Sequence, residues 1–454
     1  MLLSAHSESA TGEHKPAVTI RGLELSSRTQ KLLQLERQYV AGGFEPVPAF
    51  FVKGKGSKLW DVDGKEYIDF IAMFSAVNQG HAHPYIAQKV IEQMEMLPLA
   101  NLCGHNSLYG PFAEMMCNRF GYDKLISVTS GTEAADTACK VARKWGIQSK
   151  GIPAERCLIL GVGSSYHGLG SAVWGLMDPS AHRREYGLDN ALLMNVNPST
   201  GESLAYLDLP AMERCLVEHS DRVAAVILEC FHGATRTVQE EATYARGVYD
   251  LCRKHNVLFI ADEVRQGAGK TGKFLSYQYL GEDCKPDIVT MGKSITGGFY
   301  PQAFVLGTAA VMSMVGTFQM ATTFGHTPLA LAAARASIEV IDNEGLMDRA
   351  VAIGQRWKAI VAGWQHPEID YVASMGADSN LFFRNLRGPR VAALCMHKGL
   401  FTHPSPRGLR ISFAMTMTDD ELDRGAAIIK ETLDEIHTYK DIPGEWFDGS
   451  KPAQ

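Results

Sequence analysis

The 454-residue sequence lacks a charge excess, paired cysteines and long apolar runs. Its net charge of −6 gives no sign of a nucleic-acid or anionic-membrane partner. Nine cysteines are dispersed without a CxxC pair, which is typical of reduced thiols in a cytosolic protein. No stretch approaches the roughly eighteen apolar residues that cross a bilayer. What the chain does have is 46% apolar residues, enough for a large core in more than one lobe.

The first residues also lack the pattern of a targeting segment. Only Met1, Leu2 and Leu3 form an apolar start, and Glu8 and Glu13 lie among few basic residues. Signal peptides need a longer apolar region, and transit peptides are poor in acidic residues. We therefore expect a cytoplasmic protein whose polar N-terminus forms an arm.

One lysine follows directly on a β-prone apolar run. The run extends from Ile288 to Met291, and Lys293 comes next among small residues, with Gly297 and Gly298 shortly after it. An amine buried at a strand end has a lowered pKa and can act as a nucleophile near neutral pH. This pattern indicates a Schiff-base lysine for a carbonyl cofactor, and the alternative is an exposed lysine at a strand end.

A second apolar run, from Val257 to Ala261, ends in the carboxylates of Asp262 and Glu263. Continuous apolar runs of this length are typical of buried parallel strands, whose carboxyl ends face the ligand crevice. A carboxylate beside a Schiff-base lysine suits pyridoxal 5′-phosphate (PLP), because it can keep the pyridine nitrogen protonated.

Two segments resemble class III aminotransferases, and most of all their ornithine aminotransferase branch: ADEVRQGAGKTGKF (261–274) and KPDIVTMGKSITGGFYP (285–301). The resemblance extends over about residues 45–435. It implies an α/β protein of PLP fold type I, with a mostly parallel seven-stranded sheet between helices in a large domain. A smaller α+β domain is built from both ends of the chain. The implied division is an arm (1–25), a first small-domain segment (26–95), the PLP-binding domain (96–330) and a second small-domain segment with the tail (331–454).

The same resemblance implies the cofactor site. Lys293 would hold PLP and move protons, and Asp262 would stabilise its pyridinium. A helix begins near Ser130, and helix N-termini suit a phosphate group, although an ordinary helix cap is the alternative. The threonine of a later loop would reach the phosphate of a neighbouring subunit, which implies a homodimer. The other cofactor-binding residues implied are Ser130, Gly131, Thr132, Tyr166, His167, Glu229, Val264, Arg265 and Thr323.

Two other motifs do not satisfy their own requirements. Gly161-x-Gly163 begins a dinucleotide fingerprint, but Tyr166 stands where the third glycine is needed. His81 and His83 form a possible metal pair without a third ligand nearby, so we expect a loop-packing role and no metal site.

The resemblance weakens at the substrate. Arg410 matches the arginine that binds the α-carboxylate of the substrate in a bidentate pair. Relatives have tyrosine, arginine and glutamate where this chain has Phe44, Leu169 and Ala234, and Phe74 adds a further aromatic group. Arg265 also replaces the glutamine that usually contacts the phenolic oxygen of PLP. A site without these polar groups should select poorly for ornithine, because a desolvated charge without a partner is costly.

The sequence therefore predicts a PLP-dependent aminotransferase. It would transfer an amino group between an amino acid or amine and a 2-oxo acid, with a substrate less polar than ornithine. A PLP-dependent isomerase (racemase, epimerase or aminomutase) is the alternative, and it would consume no 2-oxo acid. The change at Arg265 also leaves decarboxylation or carbon–carbon bond formation open, while a non-catalytic protein is disfavoured by the complete set of cofactor residues.

Overall fold

The computed structural model describes residues 24–43, 46–100, 102–178, 180–188 and 192–446. Within these ranges the strands are β1 (Phe51–Lys55), β2 (Lys58–Asp61), β3 (Glu66–Asp69), β4 (Lys124–Val128), β5 (Leu158–Leu160), β6 (Leu193–Met194), β7 (Val223–Leu228), β8 (Leu258–Asp262), β9 (Ile288–Met291), β10 (Ala303–Gly307), β11 (Ile369–Met375), β12 (Asp378–Phe383), β13 (Leu400–Phe401), β14 (His403–Ser405) and β15 (Gly408–Ser412).

The helices of the same ranges are α1 (Ser27–Tyr39), the single turn α2 (Ala72–Ser75), α3 (Pro84–Met96), α4 (Tyr109–Phe120), α5 (Gly131–Gln148), α6 (Ser180–Glu185), α7 (Leu209–His219), α8 (Val238–Lys254), α9 (Ala309–Met312), α10 (Pro328–Asn343), α11 (Leu346–Trp364), α12 (Gly388–His397) and α13 (Asp419–Glu435). The periodicity predicted a helix over 328–343 and a capping box at the start of α13. Both are confirmed, because Thr418 and Glu421 cap each other's backbone N–H groups.

A seven-stranded sheet in the order β4-β10-β9-β8-β7-β5-β6 forms the centre of the molecule. Strands β6, β5, β7, β8 and β9 run parallel, and β10 runs antiparallel to both of its neighbours. The predicted fold class, with a mostly parallel seven-stranded sheet, is therefore confirmed.

Helices cover both faces of this sheet. Every residue of β7 and β8 is buried. Alternate residues of these strands belong to two separate core clusters: Val226 and Leu228 pack with residues of α8, whereas Ala225 and Ile227 pack with residues of α5. Such two-sided burial explains the continuous apolar runs, because neither face of these strands contacts solvent.

The described residues form two further sheets, each of four strands. In the first, β13 pairs parallel to β3, so N-terminal and C-terminal residues share one sheet of order β1-β2-β3-β13. The predicted turn at Asp63-Gly64 joins the antiparallel strands β2 and β3 and is confirmed. The second sheet, β11-β12-β15-β14, is antiparallel throughout. The domain boundaries at 25, 95 and 330 stay predictions.

Three further expectations concern the cysteines, membrane-spanning helices and the pair His81 and His83. None of the nine cysteines forms a disulfide. Within the described ranges, no helix is both long and apolar enough to span a membrane. His81 Nε2 lies 2.7 Å from Asp69, and His83 forms an ion pair with Glu344, so both rings have protein partners in their loop.

Candidate active site

The carboxyl ends of β8 and β9 bring the predicted lysine and aspartate to the same edge of the sheet. Asp262 is the last residue of β8 and lies opposite Thr290 of β9. Lys293 follows two residues after the end of β9. Its backbone φ is +47°, in the left-handed region that non-glycine residues rarely adopt. Unusual backbone conformations of this kind cluster at functional sites, because surrounding contacts must hold them.

The amine of Lys293 lies in a mixed electrostatic environment. Burial lowers its pKa from 10.5 to about 8. The negative charges of Glu229 and Asp262 raise this pKa, while the positive charges of Arg265 and Arg410 lower it. A lysine with a pKa near 8 has a far larger neutral, nucleophilic fraction at neutral pH than an exposed lysine has.

Asp262 is held as a carboxylate. Its Oδ2 lies 2.6 Å from Nδ1 of His167, and its Oδ1 accepts hydrogen bonds from Thr290 Oγ1 (2.9 Å) and the Val264 N–H (3.1 Å). Burial alone would raise the pKa of Asp262, but the hydrogen bond and charge of His167 outweigh it and lower the pKa. At His167, burial lowers the pKa, but the hydrogen bond and charge of Asp262 raise it, and the net change is upward. His167 therefore holds the Asp262 side chain in place and stabilises its charged form.

The neighbouring carboxylate, Glu263, has a different function. Its oxygens accept hydrogen bonds from the N–H and Oγ of Ser276 and from the N–H of Tyr277. Burial raises its pKa to about 7. Glu263 thus fixes the 276–280 turn, and of the two carboxylates that end the strand only Asp262 belongs to the site.

The start of α5 lies beside the loop that carries Tyr166 and His167. The Ser130 hydroxyl accepts from the Glu133 N–H (3.2 Å), so it acts as a helix cap, as the alternative interpretation held. A Cβ on Gly131 would lie 2.6 Å from Val264, and one on Gly168 would lie 2.2 Å from Oγ1 of Thr132. These close approaches join the N-terminus of α5 to β8 and to the 166–170 loop. Phosphate binding by Ser130, Gly131 and Thr132 stays a prediction.

Glu229, at the end of β7, connects this loop to the charged groups. Its Oε2 accepts from the Tyr166 N–H at 2.8 Å, and its Oε1 lies 3.8 Å from Nε of Arg265. The side chains of Tyr166 and Leu169 are more than half exposed. Stacking of Tyr166 on a cofactor stays a prediction.

Arg265 joins a buried network that sequence analysis missed. Its Nη1 donates to both oxygens of Asp378, at 3.0 and 3.1 Å. Gln266 and Lys270 donate to the same carboxylate at 2.8 Å. Lys270 also contacts the hydroxyl groups of Ser75 and Ser412. No local pattern marks this cluster, because Asp378 is 113 residues from Arg265 and follows an ordinary Gly-Ala pair.

Arg410 lies in β15 opposite His403 of β14. Burial and the nearby charge of Arg265 lower the pKa of Arg410, while the carboxylates of Asp378 and Glu229 raise it. Within the part of the chain that the structure describes, no carboxylate lies within ion-pair distance of its guanidinium. The Arg410 side chain can therefore take a carboxylate from a ligand.

Phe74 approaches from α2, with its ring centroid 4.7 Å from that of His403. All four residues of α2, from Ala72 to Ser75, have positive φ, so the turn is left-handed although it contains no glycine. Ser75 at its end contacts Lys270. The buried network thus holds a strained segment that presents Phe74.

The loop of Ala234 is fixed by its backbone. Glu241 accepts hydrogen bonds from the N–H groups of four successive residues, 232–235. His232 stacks on Tyr206, with ring centroids 3.7 Å apart. Ala234 is exposed on this loop and presents only a methyl group. Glu241 was another residue without a sequence signal.

Two predicted residues are not joined to this cluster. Phe44 lies outside the described residues. Thr323 is exposed, in a loop anchored where Gln302 donates to the Gly325 carbonyl (2.6 Å). Its proposed role toward a neighbouring subunit stays a prediction.

Comparison with known proteins agrees with this arrangement. The family described as Aminotransferase class-III matches residues 39–433. Ornithine aminotransferase of Schizosaccharomyces pombe is 33% identical over 425 residues, covering 91% of this chain and 96% of the relative. The crystal structure of ornithine aminotransferase from Toxoplasma gondii gives a TM-score of 0.83 at 28% identity, covering 92% of this chain and 97% of that one. Acetylornithine aminotransferase from Elizabethkingia anophelis gives a TM-score of 0.75 at 29% identity, covering 90% and 99%.

The residues present also fit the cofactor of that family. Lys293 has a lowered pKa and no hydrogen-bond acceptor for its amine among the described residues, and Asp262 is kept as a carboxylate beside it. An amine and a carboxylate prepared in this way suit an aldehyde and a protonated ring nitrogen, respectively. Motif, sheet edge, charge arrangement and similarity over nearly the whole chain thus agree that this protein belongs to the class III aminotransferases, which are PLP-dependent.

Proposed function

We propose that this aminotransferase uses an amino-group substrate less polar than ornithine, together with a 2-oxo acid. The proposal is supported by one feature of the site. The guanidinium of Arg410 is available for one carboxylate, while the neighbouring positions predicted to contact the rest of the substrate, Phe74, Leu169 and Ala234, offer no charged group. A second polar end would lose its hydration there without gaining a partner, which is unfavourable.

The roles we assign to the chain's own residues follow from their charges. Bound PLP supplies an electron sink for the substrate carbon next to the nitrogen. Asp262, fixed by His167 and Thr290, would keep the ring nitrogen protonated. Lys293 would hold the cofactor, and its Nζ, once the substrate amine has replaced it there, would carry a proton between positions on the reacting group. The low pKa of Lys293 lets this amine accept the proton near neutral pH.

The remaining residues orient and enclose the ligands. Arg410 anchors the substrate carboxylate through its fork of N–H groups. The N-terminus of α5, including Gly131 and Thr132, would bind the phosphate. Glu229 holds the Tyr166 loop through a backbone N–H, so that the aromatic ring can cover the cofactor.

Single half-reactions measured with a panel of amines test the proposal. The purified PLP form is mixed with each amine in turn, and the change in cofactor absorbance gives the rate constant. We expect faster conversion by amino acids with apolar side chains than by L-ornithine. Leu169→Arg serves as a matched variant, because it restores a cation at the mouth of the site. Rapid conversion by L-ornithine in the unmodified enzyme would contradict the proposal.

We also propose that the active enzyme is a homodimer. Six large apolar side chains on and after α3 are exposed: Ile91, Met94, Met96, Leu97, Leu99 and Leu102. Exposed apolar groups in such a cluster mark interaction surfaces. Light scattering during size exclusion measures the mass, and Met96→Lys with Leu102→Glu should shift it to the monomer. A fully active monomer would contradict this proposal.

A cytoplasmic location is the third element of the proposal. It is supported by nine cysteines of which none forms a disulfide, a usage typical of reducing compartments. Cell fractionation with an antibody against the native protein tests it, and recovery with an organelle fraction would contradict it.

A further inference from the structure

The N–H groups of Arg265 are directed toward protein groups that line the site, here called the wall: Asp378, Glu229 and the carbonyls of Phe231 and His232. Its Nη1 donates to both oxygens of Asp378. Its Nη2 donates to the carbonyls of Phe231 (3.4 Å) and His232 (3.1 Å), and its Nε lies 3.8 Å from Glu229. A guanidinium has five N–H donors in a fixed fork, and carboxylate recognition uses two parallel ones. Arg265 has no such pair left for a ligand.

Asp378 is equally occupied, which makes the arrangement rigid. Besides Arg265, it accepts from Gln266 and from Lys270. Lys270 in turn contacts Ser75 and Ser412, so its three protons all have acceptors. Arg265 cannot turn toward the site without leaving a buried carboxylate short of donors, which is costly.

The other nitrogen-bearing side chains nearby do not add a free cation. Burial lowers the pKa values of His232 and His403 to about 4, so both imidazoles are neutral at neutral pH. Lys293 is committed to the cofactor. The ammonium of Lys270 is paired with Asp378. Of these groups only Arg410 keeps a guanidinium available to a ligand.

We infer that Asp378 determines specificity by keeping Arg265 in the wall, and that the site accepts acids with a single carboxylate. The amino acceptor is then a monocarboxylic 2-oxo acid, and a dicarboxylic 2-oxo acid is a poor substrate. This inference rests on the proposed function. A second carboxylate would need a further paired donor, and the Arg265 guanidinium is already bound to Asp378 and to two backbone carbonyls.

Binding of two unreactive acids to the PLP-loaded enzyme provides the test. Pentanoate and glutarate have the same number of carbons and differ by one carboxylate. Titration followed by the absorbance of the bound cofactor gives their dissociation constants without turnover. We expect pentanoate to bind at least about tenfold more tightly than glutarate, because the second carboxylate is left unpaired. Equal or tighter binding of glutarate would overturn the inference.

Two variants separate the roles of the arginines. Arg410→Gln should weaken both acids. Arg265→Gln should leave the ratio of the two dissociation constants within about threefold, since a sequestered guanidinium contributes little to it. A selective loss of glutarate binding in Arg265→Gln would show that Arg265 binds the second carboxylate, against the inference.

Asp378→Asn tests the restraint itself. Release of Arg265 should strengthen glutarate relative to pentanoate by about threefold or more, and an unchanged ratio in a folded variant would contradict the role of Asp378. If this variant does not fold, the unmodified enzyme and Arg265→Gln still decide the matter. Failure of every amine to transfer its nitrogen would count against the proposed function, whereas it would leave the ratio of the two acids unaffected.

Discussion

Two buried aspartates, Asp262 beside Lys293 and Asp378 beside Arg265 and Lys270, have surroundings that differ in charge. Asp262 and Asp378 are 3% and 2% exposed. Asp262 accepts hydrogen bonds from His167, a hydroxyl and a backbone N–H. Asp378 accepts from a guanidinium, an ammonium and an amide. The pKa values of both are lowered against the effect of burial, at Asp378 by the charges of Arg265 and Lys270.

The difference shows how equal burial can support unequal roles. Asp378 has a permanent cationic partner in Arg265 and a second, titratable one in Lys270, so its charge is balanced within the protein and stabilises the network. Asp262 has one titratable partner and neutral donors, so it can still attract a cationic ring nitrogen. Residue type and burial alone would not distinguish the two, and the number of charged donors does.

The largest effect should come from removing the charge of Asp262. Asp262→Asn keeps the shape but cannot hold the ring nitrogen protonated. We expect the rate constant of the half-reaction to fall by roughly 10²–10³, as when one preorganised electrostatic partner is lost. Stopped-flow absorbance measures it. Glu263→Gln is the matched control, since this adjacent carboxylate faces Ser276, and it should retain most of the rate. Similar rates in the two variants would contradict the assignment of Asp262, and not Glu263, to the cofactor.

Asp378→Asn should act mainly on stability. It leaves Arg265 and Lys270 buried without their carboxylate, and we expect the free energy of unfolding to fall by about 3–5 kcal/mol. Urea unfolding at a fixed PLP concentration measures the change. Asp283→Asn removes an exposed partner of Arg246 and should change stability little. Equal effects of both variants would argue that Asp378 is not neutralised as described.

His167 offers a smaller test of the surroundings of Asp262. His167→Gln removes the ring nitrogen that lies 2.6 Å from Asp262. We expect a loss of about 1–3 kcal/mol in unfolding free energy, the cost of leaving a buried acceptor without its donor. Because His167 lowers the pKa of Asp262, the decline of the half-reaction on the acid side should begin at higher pH. An unchanged acid limb would mean that the imidazole does not support the carboxylate.

The smallest effect concerns the pH dependence of stability. Burial lowers the pKa of Lys270 from 10.5 to about 7, with the charge of Asp378 opposing this shift. Between these values the unfolded chain binds a proton that the folded chain does not, so stability should rise as pH increases from about 7 toward 10. Lys270→Met should flatten this rise in urea midpoints. Lys270→Arg should also flatten it, because a guanidinium does not titrate there, and a persistent rise in both would contradict the assignment.

The sequence predicted the functional residues that lie at the ends of buried strands. The apolar runs before Asp262 and Lys293 predicted two buried strands that end at the site, and the structure adds that these strands, β8 and β9, are adjacent and parallel. Alternation around Asp63-Gly64 predicted the hairpin for the same reason, since the pattern of burial is local.

Long-range pairing was not predictable in this way. Asp378 begins a short strand in the second half of the chain, and Lys270 stands in a glycine-rich loop, so both have the local pattern of exposed residues. Their contact with Ser75 and Arg265 depends on how three distant segments meet. The left-handed α2 also lacks the glycine that would have marked it.

That turn has a consequence for engineering. Each non-glycine residue in a left-handed conformation carries roughly 1–2 kcal/mol of strain, and α2 contains four in succession, from Ala72 to Ser75. Glycine adopts this conformation freely, although it weakens most ordered segments. At Ala72, alanine should therefore not stabilise the helix relative to glycine as it does elsewhere. A library that seeks heat-tolerant forms of this enzyme could sample glycine there, a choice that would be unwise in almost any other helix of the chain.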